Sequence, residues 1–152
     1  ERWPAFDGPM LRRWSDMLDE ARAAVLPPLA DPLVAIDLSQ AALDATAHNA
    51  RGVGGERDVL TRRGDARALR SERPVWVVAD PPYGDRLAAK PLQLAGFYRQ
   101  MGEAFRTMRG STVALISGTP LLRKSLPMTP DMEHTLFNGD IECRLLRYRV
   151  DP

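Results

Sequence analysis

Residues Val75–Leu87 read VWVVADPPYGDRL, and the way this run stops decides the fold. β-Branched and aromatic residues lead up to Asp80, where two prolines and then a glycine end the pattern. An apolar run of this length with this ending reads as a buried strand whose carboxyl end opens into a rigid loop. Ligands of open α/β sheets bind beyond the carboxyl ends of the strands, so Asp80, Pro81, Pro82 and Tyr83 stand where chemistry is done. Neither proline has an N–H, and the corner therefore offers acceptors only. An Asp80 side-chain oxygen and the Pro81 carbonyl can receive the two hydrogens of a substrate amino group while a planar ring stacks on Tyr83. The same residues also read as a capped turn, since Asp before Pro starts turns and Tyr is a common half-buried aromatic.

The pattern repeats upstream. Leu33–Asp37, LVAID, is a second short apolar run ending on an acid, and Ser39 behind it can cap a helix over Gln40–Arg51 that Gly52 closes. Strand, acid and helix make half of a βαβ unit. An acid in that place can accept both hydroxyls of a nucleoside ribose, as rim acids do in dinucleotide-binding folds; a solvent-facing Asp in a strand-to-helix turn is the alternative. Asp58–Thr61 is a weaker strand followed by Arg62-Arg63-Gly64-Asp65-Ala66. With parallel strands Asp65 shares a rim with Asp37 and Asp80, where it can accept from an adenine amine or simply cap a short turn.

Further along, Leu94, Tyr98, Met101, Phe105 and Met108 mark one face of a helix over 91–109, with both methionines as core filler. Gly110 closes it, and Ser111–Ser117 is the next strand. A short helix or turn holds Leu121–Lys124. Asn138-Gly139 signals a hairpin joining HTLF to IECRLLRYRV. In that second arm Ile141, Cys143 and Leu145 share one face, with Leu146, Tyr148 and Val150 on the other, as in a sheet covered on both sides. Cys143 reads as a small buried hydrophobe. At the front, Trp3 and Phe6 are expected to pack on the body. Leu11, Trp14, Leu18, Ala21 and Val25 then predict an amphipathic helix from Pro9 to about Val25, ended by Pro27-Pro28.

Composition bounds the function. The chain has 152 residues, 44% hydrophobic and 27% charged, with a formal net charge of +1, which suits one soluble domain with a real core. Without a basic excess, any polyanion is held locally or by another part of the molecule. A single cysteine excludes an internal disulfide and a multi-cysteine zinc site, and His48 and His134 are too far apart in sequence to suggest a metal centre. No signal peptide or membrane-length apolar run is visible, so a cytoplasmic setting is expected. The start at Glu1-Arg2-Trp3-Pro4, without Met, suggests a piece of something longer.

Taken together, DPPYGDRL, the upstream AIDLSQAALDATAHNARGVG and RRGDA, and the downstream FNGDIECRLLRYRV closely resemble the methyltransferase domain of the bacterial large-subunit ribosomal RNA guanine-N2 methyltransferases. ERWPAFD, Trp14 and LDEA are similar to that domain as well, so the resemblance covers essentially the whole chain. The short motif alone is shared with many amino-group methyltransferases. The family implies an α/β, Rossmann-like class I methyltransferase fold, a mostly parallel sheet with an antiparallel C-terminal strand, using S-adenosylmethionine. By resemblance Asp37, with Leu38 beside it, matches the acid on the cofactor ribose. Asp65 and Ala66 match the adenine site, and Asp80-Pro81-Pro82-Tyr83 matches the catalytic loop, Asp80 also bordering the cofactor. Family members usually carry Asn where Asp80 stands, which leaves the preferred base open.

The family's first strand and its glycine-rich loop are expected N-terminal to Glu1, and an RNA-binding THUMP domain beyond them. The expectation is a partial methyltransferase domain over 1–152 that alone binds cofactor poorly or not at all. Large-subunit ribosomal RNA is the expected partner, with Arg62, Arg63, Arg86, Lys90, Arg123 and Lys124 as phosphate contacts or as ordinary solvated surface. Rival readings are an adenine-N6 or transfer-RNA guanine enzyme on the same fold, and an inactive module that only binds RNA. A nucleotide-binding oxidoreductase is disfavoured, because DPPY offers an amine-accepting corner and no hydride site.

Overall fold

The structure is a computed structural model that describes residues 8–27, 29–83 and 91–152. Trp3, Phe6, the Gly84–Leu87 end of the central motif and Lys90 lie outside the described residues. Along the chain the elements are α1 (Gly8–Ala23), β1 (Leu33–Asp37), α2 (Gln40–Gly52), β2 (Val59–Arg63), a single 3-10 turn at Ala66–Ala68, β3 (Trp76–Ala79), α3 (Pro91–Arg106), β4 (Thr112–Ser117), α4 (Pro120–Ser125), β5 (Met132–Asn138) and β6 (Ile141–Arg149). They divide into two compact units, residues 1–35 with 45–61, and residues 36–44 with 62–152.

In the first unit α1 forms where the periodic pattern places it, but none of its residues is buried. Leu11 and Trp14 remain 43% and 42% exposed. Good helix formers and an Arg22–Asp19 pair at 3.0 Å favour helix locally; burial of the apolar stripe is a separate matter that periodicity does not guarantee. At its other end the Leu33 N–H donates to the Asp58 carbonyl at 2.7 Å, the first rung between β1 and β2. After α2 the left-handed glycine is Gly54, φ +74°, and not Gly52, which remains helical.

The second unit holds the main core. Its sheet has the order β3-β4-β6-β5. β3 pairs parallel to β4 from Trp76↔Thr112 to Ala79↔Leu115, whereas β6 runs antiparallel to both β4 and β5. One strand therefore opposes the other three, the arrangement of the predicted antiparallel C-terminal strand. Tyr98, Met101, Phe105 and Met108, on α3 and the turn after it, bury themselves against Val113, Leu115, Leu122, Leu146 and Tyr148. Their spacing of three and four residues puts them on one helical face, and the strand partners sit at alternate positions.

The opposite face of this sheet is less covered than the sequence suggests. Cys143 is buried there and Leu145 half-buried, but Ile141 is 44% exposed, and Trp76 and Val78 on β3 are 70% and 74% exposed. The hairpin turn also differs in detail. Asn138 pairs with Ile141, leaving Gly139-Asp140 as the two-residue loop. Gly139 takes φ +62° and Asp140 does not share the positive sign. Glycine first is the requirement of a type II′ turn, so Asn138 closes the ladder and is not itself in the loop.

Candidate active site

The predicted catalytic and cofactor residues Asp37, Leu38, Asp65, Ala66 and Asp80–Tyr83 lie in the second unit, at or just beyond the carboxyl ends of β1, β2 and β3. β1 ends on Asp37, whose Oδ1 accepts from the Ser39 N–H at 2.7 Å. Ser39 in turn caps α2, its Oγ accepting from the Ala42 N–H at 3.3 Å. The acid is thereby fixed in a strand-to-helix turn while its side chain remains exposed, with Oδ2 still able to accept. Two bonds tie this end to the next strand. The Gly64 N–H donates to the Asp37 carbonyl at 3.0 Å, and Arg63 Nε donates to the Leu38 carbonyl at 3.2 Å.

Asp65 is differently employed. It caps the 3-10 turn, Oδ1 accepting from the Arg67 N–H at 2.9 Å. The Arg67 side chain closes on the same carboxylate, Nε at 3.0 Å from each oxygen and Nη2 at 2.5 Å from Oδ2. Those side-chain bonds, then the backbone bond, hold the Asp65 carboxyl below the usual carboxylate range. Arg67 also lies over the Phe97 ring at 5.7 Å, so this end is seated on α3 beside half-buried Ala66. The acid does cap a turn, and as an acceptor for an adenine amine it competes with a guanidinium already in place.

The DPPY corner follows β3 directly. Asp80 is exposed, Pro81 is buried, Pro82 is exposed and Tyr83 is half-buried. The backbone is held from α3: fully buried Tyr98 donates its hydroxyl to the Pro82 carbonyl at 2.5 Å. Burial pushes the Tyr98 phenol up to about 12. Tyr83 reaches toward the hairpin. Asn138 Nδ2 donates to Tyr83 Oη at 3.4 Å, and Cys143 Sγ lies 3.8 Å from the same oxygen. The Asn138 bond pulls the Tyr83 phenol down, but the Cys143 contact, burial and the nearby charge of Asp80 together leave it raised.

Tyr98, Asn138 and Cys143 therefore surround the corner, although the sequence reads them as core, turn and strand. Tyr98 reads as one more stripe residue on a helix. Asn138-Gly139 carries a strong local signal, but a signal for a turn. Of the candidate phosphate contacts, Arg63 is engaged with the Leu38 carbonyl and Arg123 with Glu133 at 3.0 Å; Arg86 and Lys90 lie outside the described residues.

The corner offers acceptors after one strand, and an exposed acid follows another; comparison with known proteins supplies the family. Residues 5–147 match the family model described as the RMKL-like methyltransferase domain. The chain belongs to that family. A ribosomal RNA large subunit methyltransferase K/L of Methylococcus capsulatus is 34% identical over 97% of this chain and 20% of its own length. Its counterpart from Allochromatium vinosum is 32% identical over 99% of this chain and 21% of its own length. The chain thus spans about a fifth of these relatives. Among solved structures, a possible methylase from Clostridium difficile 630 superimposes with a TM-score of 0.84 at 23% identity, covering 100% of this chain and 40% of the other. The methyltransferase domain accordingly has the mixed α/β sheet of the class I methyltransferase fold.

Proposed function

We propose that this chain is part of an enzyme that transfers a methyl group from S-adenosylmethionine to the exocyclic N2 amine of a guanine in large-subunit ribosomal RNA. The observation that carries the reading is the DPPY corner. It follows β3 with an exposed Asp80, two successive residues without N–H, and a backbone held at Pro82 by a buried tyrosine. Family membership and the names of the relatives, which are ribosomal RNA methyltransferases, support RNA as the substrate and a longer parent protein of which residues 1–152 form part of one catalytic domain. No described helix is long and apolar enough to cross a membrane, which agrees with a cytoplasmic enzyme.

The residues present suit the cofactor at two of three points. Asp37 retains an acceptor oxygen for ribose hydroxyls, with Leu38 alongside, and Asp80 borders the reacting end. At Asp65 and Ala66 the adenine amine shares the carboxylate with Arg67. Bound there, S-adenosylmethionine supplies an electrophilic methyl group on a sulfonium sulfur. The rest falls to the chain's own groups. An Asp80 oxygen and the Pro81 carbonyl accept hydrogen bonds from the two amine N–H groups, which draws the nitrogen lone pair out of conjugation with the ring and aims it; the one proton the nitrogen sheds on gaining the methyl group passes to the Asp80 carboxylate and on to solvent. Tyr83 stacks on the base, which has left its helix. Positioning and preorganised acceptors supply most of the rate, because no covalent intermediate is needed.

The test is methyl transfer by the full-length protein carrying Asp80→Ala or Tyr83→Ala. Each is expected to lower kcat at least about a hundredfold; undiminished turnover in both overturns the assignment. Asp80, where the resembling family usually has Asn, keeps one second reading open, transfer to adenine N6. Digestion of the methylated RNA and mass analysis of its nucleosides decides between N2-methylguanosine and N6-methyladenosine.

A further inference from the structure

The contacts around Tyr83 come from two places far along the chain, and they go beyond holding a loop. The Tyr83 hydroxyl takes the Asn138 amide at 3.4 Å and meets Cys143 Sγ at 3.8 Å. The Cδ2–Cε2 side of the ring lies against Gly118, the residue between the end of β4 and Thr119, which caps α4. A Cβ on Gly118 would sit 2.7 Å from Tyr83 Cε2 and 2.9 Å from Cδ2, with Ile141 Cγ2 at 3.0 Å on the same spot. No real side chain tolerates the first two distances, so only glycine allows the ring to lie there.

We infer that Gly118 and Asn138 are positioning residues for Tyr83: the β4–α4 turn and the tip of the β5–β6 hairpin hold its ring, before substrate arrives, as a fixed wall for the base. The inference rests on the reading of Tyr83 as the stacking residue and adds which groups set its geometry. A tyrosine on a loop samples several rotamers and loses that freedom when a base stacks on it. One pinned on its Cδ2–Cε2 side and at the hydroxyl has already lost it, so more of the stacking interaction is available to orient the base. Asn138 occupies the last paired position of the hairpin, opposite Ile141. Gly139 makes the tight turn that keeps the amide at the end of the ladder. The hairpin is thus tied to the catalytic corner through the Asn138 hydrogen bond and the Cys143 contact, and the glycine through the absence of one methyl group.

The experiment uses the full-length protein, large-subunit ribosomal RNA lacking the modification, and labelled S-adenosylmethionine. The variants are Tyr83→Ala, Tyr83→Phe, Asn138→Ala, the double variant Tyr83→Phe/Asn138→Ala, and Gly118→Ala. Asn138→Ala is expected to lower kcat about tenfold with the KM for S-adenosylmethionine unchanged, and the double variant to be no slower than the slower single one, since both remove the same bond. Gly118→Ala displaces the ring by roughly an ångström and is expected to cost about a hundredfold in kcat. Because Asn138 is exposed, its variant keeps the thermal midpoint, and the Tyr83–Asn138 cycle stands even where Gly118→Ala does not fold. Additive losses in the cycle, or full kcat in Asn138→Ala, overturn the inference. If Tyr83→Ala is inactive while Asn138→Ala and Gly118→Ala retain full kcat, the inference fails and the stacking reading survives. Full turnover by Tyr83→Ala removes the stacking reading itself.

Discussion

Two buried tyrosines in the same core have opposite hydrogen-bonding fates. Tyr98 and Tyr148 are each 0% exposed, but Tyr98 donates to the Pro82 carbonyl while the Tyr148 hydroxyl has no partner among the described residues. Removing a hydroxyl that has a partner strands an acceptor, whereas removing an unpartnered one relieves a desolvation cost. Tyr98→Phe is therefore expected to destabilise by about 1–2 kcal/mol, and Tyr148→Phe to be neutral or stabilising by up to about 1 kcal/mol. Urea midpoints at constant m-value check the signs. Burial raises both phenols to about 12 from an ordinary value of 10.0. The folded state thus holds these protons more tightly than the unfolded chain does. Their contribution to stability is complete below pH 10 and is lost as pH rises through 12; denaturation at stepped pH is expected to show the decline in that window, and a flat profile there contradicts it.

Helix α3 carries a matched pair of glycines that separates local preference from packing. Around Gly96 a Cβ would meet nothing within 4 Å, whereas at Gly102 it would lie 2.5 Å from Pro127 Cδ and 3.0 Å from Leu126 Cγ. Alanine is favoured over glycine inside a helix by about 0.8–1.0 kcal/mol, so Gly96→Ala is expected to raise the thermal midpoint. At Gly102 overpacking against the segment after α4 costs about 1–3 kcal/mol and outweighs that gain, so the midpoint falls. The contrast also marks what a sequence can disclose. Helix α3 is legible because Tyr98, Met101 and Phe105 recur on one face, and β3 because Pro81 and Pro82 stop it. Asp37 and Asp80 are placed correctly because strand ends are local events. Gly118 and Asn138 are not legible as site residues, since what gives them meaning is a ring arriving from 35 and 55 positions away in sequence. Nothing local foretells that Arg67 occupies Asp65, because two oppositely charged neighbours read equally well as solvated surface.

At the scale of the whole molecule, burial is divided unequally between the two units. The buried cluster of α3, β4, α4 and β6 lies entirely in the second. In the first, α1 has no buried residue, and Ala50 is the sole buried apolar side chain among that unit's described residues. Local opening costs least where few apolar contacts are lost, and it approaches the global unfolding free energy only in the best-packed elements. The β4 and β6 amides, locked in a six-pair antiparallel register from Thr112↔Arg149 to Ser117↔Arg144, are therefore expected to exchange only through global unfolding. Amides of α1 are expected to exchange orders of magnitude faster, and a protease is expected to cut between 8 and 27 before it cuts anywhere in 112–149. Hydrogen exchange read by mass spectrometry on peptides from the two units distinguishes the outcomes. Equal protection in α1 and β4 would mean that the units unfold as one. Faster exchange in α1 alone would locate the stability of the methyltransferase domain in the unit that carries Asp80 and Tyr83, and under that division substitutions confined to α1 alter protease sensitivity without altering the geometry of the Asp80–Tyr83 corner.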